Sequence, residues 1–298
     1  MKHACLTLAL LALLLVACPA ALAEGDALPP CDYAFSGEVV RSYDSESLRF
    51  TVEQFQWNEA RCFLSKIWMA DPGRQIHKAT ARWKKDLAFP SEIAKKLDCN
   101  PALVVNGSGY VSPVFPWVPD DYPGKNSDYF YTPLGSLTVT DGEVFRNLEG
   151  VPFYGLTLQS DGLHLHVGES PEDVLAQNPS QTWSFYDQCP LIRDGESILD
   201  TTWRFANEKA IRTIVGQMDQ NNYFLLTVSS KTSQGLTLVE CVDFLQAEIH
   251  PQWAYDLDGG PSSALLVRLP GKRVLKTVYG NNSKDADIMA FAELPAEE

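Results

Sequence analysis

The chain has 298 residues, 45% of them hydrophobic and 21% charged, which suits one large globular domain or two small ones with a full core. A formal net charge of −14 argues against nucleic acid as a partner, because phosphates repel an acidic surface. Beyond the N-terminal stretch no segment is long and apolar enough to read as a transmembrane span.

Residues 1–23 read as an export signal: Lys2 is the basic start, Leu6 to Val16 the apolar core, and Ala21-Leu22-Ala23 the cleavage site. A second reading of the same stretch is a lipoprotein box, Leu15-Val16-Ala17-Cys18, with a lipid anchor at Cys18. Either way the protein is expected outside the cytoplasm, periplasmic or secreted. Five cysteines then remain, Cys31, Cys62, Cys99, Cys189 and Cys241. Export predicts that Cys31 and at least two of the others form disulfides.

Residues 24–84 read as a strand-rich N-terminal region packed on a main domain of 85–298, with strands at 48–52 and 62–68. Ser91 is a good cap for a helix over 92–97, which leads to a strand at 102–105 and the Asn106-Gly107 turn. The loop 111–133 is rich in Pro, Tyr and Asp, and suits the covering of a pocket. Asp-Gly turns predict hairpins at 137–145, 156–167 and 191–199. His164 and His166 share a strand face, a spacing open to zinc but without a third ligand nearby. Ser170 caps a short helix, and 212–217 and 223–228 form another hairpin. A helix over 236–245 has Glu240 at its middle, 274–278 is a last strand, and 281–287 is a polar loop. Many hairpins with few helices predict a strand-dominated α+β fold with a mixed sheet.

The most informative stretch is Tyr255-Asp256-Leu257-Asp258-Gly259-Gly260-Pro261-Ser262-Ser263. It reads as strand, tight turn, strand, with two carboxylates pointing the same way and a backbone that a ligand can approach closely. An acidic hairpin turn is its plain alternative.

Four stretches occur in order: Val105-Asn106-Gly107-Ser108-Gly109-Tyr110, Arg212-Thr213, Gly235-Leu236-Thr237-Leu238-Val239-Glu240, and the Asp256-Leu257-Asp258-Gly259-Gly260 turn. Together they resemble the phosphodiester glycosidase family, whose mammalian member removes the N-acetylglucosamine that covers mannose phosphate on lysosomal enzymes. Many of its bacterial members are exported and associated with exopolysaccharides. Three positions depart from the family pattern: Asp256 stands for Asn, Ser108 for the second Gly of Asn-Gly-Gly, and Ser229-Ser230-Lys231 for Asp-Gly-Arg.

The resemblance implies hydrolysis of a hexosamine-1-phosphodiester in a cell-envelope or exopolysaccharide glycan. Asp258 would be the nucleophile or base and Glu240 the acid. Arg212 would be a planar fork for phosphate. Asn106, Gly107, Thr213, Asp256, Gly259, Gly260 and Ser262 would bind the sugar-phosphate. No cofactor is expected, a calcium ion at Asp256 and Asp258 being the alternative. The departures leave a second reading open, a non-catalytic envelope glycan-binding protein on the same fold.

Overall fold

The computed structural model describes residues 35–112, 127–230, 234–269 and 271–295. Strands β1 (Glu38–Asp44), β2 (Leu48–Trp57) and β3 (Ala60–Met69) form a meander, followed by α1 (Pro72–Gln75), β4 (Ile76–Thr80), α2 (Pro90–Ile93) and β5 (Leu103–Asn106). Then come β6 (Leu137–Thr140), β7 (Glu143–Asn147), β8 (Phe153–Gln159), β9 (Gly162–Glu169), α3 (Pro171–Leu175) and β10 (Gln181–Ser184). The last part holds β11 (Pro190–Arg193), β12 (Glu196–Ser197), β13 (Arg212–Gln217), β14 (Asn222–Ser229), α4 (Leu238–Phe244), β15 (Trp253–Asp256), β16 (Ala264–Arg268), β17 (Leu275–Gly280) and β18 (Asp287–Phe291). The fold is α+β and strand-dominated.

Two sheets carry the structure. One has eight strands in the order β1-β2-β3-β14-β13-β15-β11-β12, and the other has five, β17-β16-β5-β18-β4. Strands of the N-terminal region enter both. β3 pairs with β14 from Asn222↔Trp68 to Ser229↔Arg61, and β4 pairs with β18 from Asp287↔Thr80 to Phe291↔Ile76. A boundary at residue 84 therefore runs through two hydrogen-bond ladders and not between two layers. β10, β8 and β9 make a smaller sheet, and β6 with β7 a hairpin.

Strand alternation explains the layering. On β14, Tyr223 and Leu225 face the central core while Phe224, Leu226 and Val228 face the opposite way. On β5, Leu103 and Val105 join the same central core, and Val104 the far side. The central core therefore lies between the two large sheets. α4 covers the outer face of the eight-stranded sheet through Leu238, Cys241, Val242 and Phe244, and α2 covers the five-stranded sheet through Ile93. Strands covered on both faces read as continuous apolar runs.

Hairpin chemistry is local, and the structure follows it. Asp141 and Gly142 have φ of 53° and 78°, and Asp194 and Gly195 have 53° and 80°. Positive φ at both central positions matches the twist of the flanking strands. Ser170 accepts a hydrogen bond from the Asp173 N–H and caps α3 as expected. Other boundaries differ. α2 starts at Pro90 with Phe89 at the cap, and Ser91 instead pairs with Asn281. α4 starts after Thr237, which puts Glu240 in its first turn and not at its middle. β4 and β18 were not expected from the sequence. Both lie inside the fold, where partners and not turn signals define them.

The cysteines also depart from expectation. Cys62, Cys99, Cys189 and Cys241 are free thiols, and Cys31 lies outside the described residues. Cys62 and Cys241 are buried in the core beneath α4, and Cys189 in the central core, each as a small apolar side chain. Burial pushes the Cys62 thiol up to about 12 and holds Cys189 and Cys241 well above the usual thiol range. Unreactive thiols follow. Alkylation in denaturant without reductant is expected to modify all four, and alkylation of the folded protein only Cys99. Peptide mapping that finds any of the four in a disulfide would contradict this.

Candidate active site

β15 lies in the eight-stranded sheet and β16 in the five-stranded sheet, so residues 257–263 carry the chain from one sheet to the other. The Asn106 side chain, wholly buried at the end of β5, pins this crossing. Its Nδ2 donates to the Asp258 carbonyl at 2.6 Å, and its Oδ1 accepts from the Ala264 N–H and the Thr213 hydroxyl, each at 3.0 Å. Thr213 Oγ1 is also 3.0 Å from Ser263 Oγ. The backbone adds Asp258 N–H to Gly107 O at 3.0 Å, Leu257 N–H to Thr213 O at 2.8 Å and Gly260 N–H to Ile211 O at 2.9 Å. Asn106 and Thr213 thus build the turn from behind, and neither lines the cleft in front of it.

Gly259 is required by space. A Cβ there would sit 2.8 Å from the Ile211 carbonyl oxygen. Gly107 is similar: a Cβ would sit 2.0 Å from Asp287 Oδ1.

Asp256, Asp258, Gly259, Gly260, Ser262 and Arg212 line one cleft of about 300 Å³. Its other side is aromatic, built from Tyr110, Phe185, Tyr186, Trp203 and Phe205. Tyr186 and Phe205 lie nearly parallel, with ring centroids 6.1 Å apart and planes inclined by 15°. Residues 113–126 of the predicted covering loop lie outside the described residues. A cleft with carboxyls on one wall and aromatic faces on the other suits a sugar, whose hydroxyls and C–H face differ in the same way.

Arg212 is 7% exposed and heavily engaged. Nη2 donates to the carbonyls of Phe205 and Glu208 at 2.8 Å each, Nε to that of Leu236 at 3.4 Å, and Nη1 stands 3.5 Å from Asp256 Oδ2. Four of its five N–H groups are directed into protein, which leaves one on Nη1 for a ligand. The expected two-pronged phosphate fork is replaced by a clamp that holds the segment bearing Trp203 and Phe205 over the cleft.

The carboxyls of the turn favour the proton. Asp256 is buried with Oδ1 unpartnered, and desolvation pushes it up to about 7 against the pull of Arg212. Asp258 is half-buried by accessible surface, yet the surrounding protein still desolvates it and pushes it up to about 7. The Ser262 hydroxyl and the Gly259 N–H, 2.9 Å from Asp258 Oδ1, oppose that shift.

Glu240 is placed elsewhere. Its carboxylate accepts the Thr237 N–H at 2.8 Å in a capping box, and it meets Asn58 at 3.3 Å and Lys209 at 3.6 Å. Burial pushes its pKa up, but the Thr237 N–H and Lys209 outweigh this and hold it below the usual range. An ionised cap is the opposite of a proton donor, and Glu240 does not line the cleft. His164 pairs with Asp161, and His166 sits between Thr157 and Glu169. Among the described residues no group of three or more His, Cys, Asp or Glu side chains is arranged to hold a metal ion.

Two residues behind the turn were missed in the sequence. Asp285 is 1% exposed and lies beside Asp258 and Ser262. Asp287 forms a wholly buried ion pair with Lys78 at 3.1 Å and accepts from the Ser108 N–H at 2.6 Å and the Ser108 hydroxyl at 3.0 Å. Ser108, one of the departures from the family pattern, thereby anchors the Asn106-Gly107 turn. The available signal was Asp285-x-Asp287 directly before the apolar run Ile288–Phe291, mirroring the Asp256-x-Asp258 pair after Trp253–Tyr255.

The turn makes two predictions. Asn106→Asp removes the donor to the Asp258 carbonyl and buries a charge, so unfolding stability should fall on the order of 3 kcal/mol; an unchanged denaturant midpoint would contradict the junction. Asp256 and Asp258 hold their protons to about 7 in the folded chain against an ordinary 3.8. The folded state therefore binds more protons than the unfolded one in that window, and stability falls as pH rises from about 4 to about 7. Urea midpoints should drop across the window, and Asp258→Asn should flatten the slope.

A family model described as phosphodiester glycosidase matches residues 103–292. The chain is similar in fold to the zebrafish N-acetylglucosamine-1-phosphodiester alpha-N-acetylglucosaminidase catalytic domain auto-inhibited by its pro-peptide. That likeness has a TM-score of 0.60 and 17% identity, and covers 87% of each chain. It is also similar to a hypothetical protein from Synechocystis, with a TM-score of 0.54 and 12% identity over 85% of this chain and 64% of that one. No curated protein sequence matches it. The match spans well over half of the chain and includes all four ordered motifs, so the chain belongs to the phosphodiester glycosidase family.

Proposed function

We propose that this protein is an exported hydrolase that cleaves the bond between a sugar, of the hexosamine type, and a phosphodiester in cell-envelope or exopolysaccharide glycans. The observation that carries the reading is the single cleft in which Asp258 faces an aromatic wall, in a chain of this family. The sugar ring would lie against Tyr186, Phe205 and Trp203, with its anomeric carbon toward Asp258. A phosphate leaves as a stable anion, so the bond needs little help from a strong acid. What the site must supply is a nucleophile for the anomeric carbon or a base for the water that attacks it. Asp258 is that group: half-buried, held by the Gly259 N–H, and pushed up to about 7 by burial. The remaining Arg212 N–H is the positive contact for the phosphate.

A second reading is favoured by one observation. Arg212 spends most of its donors on carbonyls, which suits a site that binds a glycan without strong charge on the leaving group. Purified protein would be incubated with a methyl phosphodiester of N-acetylglucosamine, and sugar release followed. Asp258→Asn is expected to lower kcat/KM by about 10²- to 10⁴-fold. Saturable binding of the diester with no release by the unmodified protein would decide for the binding role.

A further inference from the structure

Asp285 is the least satisfied side chain near the cleft. Neither carboxyl oxygen has a partner in hydrogen-bond geometry. The side chain is buried, and its backbone is held in a bridge with Ala88. Its N–H donates to Ala88 O at 2.8 Å and its carbonyl accepts from the Ala88 N–H at 3.2 Å. The next carbonyl, of Ala286, accepts from the Ala81 N–H at 2.7 Å and from Trp83 Nε1 at 3.0 Å.

The charged groups that face Asp285 are of the wrong sign. They are Asp258 and Asp287, and the Lys78 ammonium is already bonded to Asp287. The Tyr110 phenol lies near both Asp258 and Asp285 and stays neutral, its pKa raised by burial and by these carboxyls. A buried carboxylate with two acidic neighbours and no cation of its own is costly to keep ionised, and the Ser262 hydroxyl, shared with Asp258, offsets this only in part; a neutral carboxyl there costs little. A neutral carboxyl has one O–H, which needs an acceptor. The polar group within reach is the Ser262 hydroxyl, and that hydroxyl also lies beside Asp258. Bonds of this kind are often long before a ligand is bound and tighten with it.

Resting on the reading of this cleft as catalytic, we propose that Asp285 is a positioning residue: a neutral carboxyl that donates to Ser262, so that the Ser262 hydroxyl donates in turn to Asp258. The chain of donors runs one way. It fixes the Asp258 carboxyl rotamer together with the Gly259 N–H and leaves the other Asp258 lone pairs for the cleft. It also stabilises the ionised form of Asp258, the form that attacks or takes a proton.

The test is a carboxyl NMR titration of protein labelled with ¹³C-aspartate, with Asp258 and Asp285 assigned from Asp258→Asn and Asp285→Asn. It needs no substrate, so it decides this proposal even if no sugar-phosphate is turned over. Asp285 is expected to keep the protonated chemical shift through neutral pH. Asp285→Asn, which still donates, should leave the Asp258 titration in place. Asp285→Leu and Ser262→Ala should each raise it by about one to two units, the worth of one hydrogen bond to a charged group. If Asp285→Leu does not fold, Ser262→Ala carries the same reading. With an active substrate, the acidic limb of the kcat profile should move as the NMR titration does. An ionised Asp285 at neutral pH, a fall in the Asp258 titration on Asp285→Asn, or no rise in Ser262→Ala would each overturn the proposal.

Discussion

The carboxamide of Asn106 is the junction on which the site depends. It stands at the end of β5 in one sheet, bonds Thr213 at the start of β13 in the other, and holds both ends of the turn that joins them. The geometry asks for one side chain that donates to a carbonyl and accepts from an N–H and a hydroxyl at once. An amide does this without charge; a carboxylate lacks the donor, and a hydroxyl is too short and too poor in acceptors. The two sheets pack through the central core; at this group their strand ends converge, and the cleft opens in front of the turn it holds.

The electrostatics of that cleft follow from its burial. An acidic protein has placed several aspartates where water is scarce, and has answered only some of them with cations. Lys78 answers Asp287 inside the five-stranded sheet, and Arg212 answers Asp256 in part. Such pairs add little net stability, because two charges must leave water to form them. Their value here is positional. Asp287 sets the Ser108 turn, and Arg212 holds the segment that carries the aromatic wall. Asp258 and Asp285 have no cation, and burial favours their protonated forms. The cation pairs hold the turn and the wall in shape, while burial raises the pKa of the carboxyls that face the cleft.

Two of the three departures from the family pattern have local partners. Ser108 adds a hydroxyl that Asp287 accepts from, and that hydroxyl also accepts from the Ser184 N–H at 3.2 Å, tying β10 to the turn. Asp256 in place of Asn puts a carboxyl 3.5 Å from Arg212 Nη1. Lys231, at the third departure, lies outside the described residues.

By itself the sequence determined what depends on neighbours in the chain: the Asp-Gly hairpins, the Ser170 cap, the apolar runs of the buried strands, and a glycine turn bearing Asp256 and Asp258. The ordered motifs also identified the family. Only the tertiary structure decided what depends on partners far away. It placed β4 and β18 in a sheet, made Glu240 a cap paired with Asn58 and Lys209, left four cysteines unbridged, turned Arg212 inward to three carbonyls, and set Asp285 behind Asp258. The physical reason is that a turn or a cap is fixed by backbone angles over a few residues. The state of a carboxyl or guanidinium is fixed instead by the donors and the loss of water that folding brings to it.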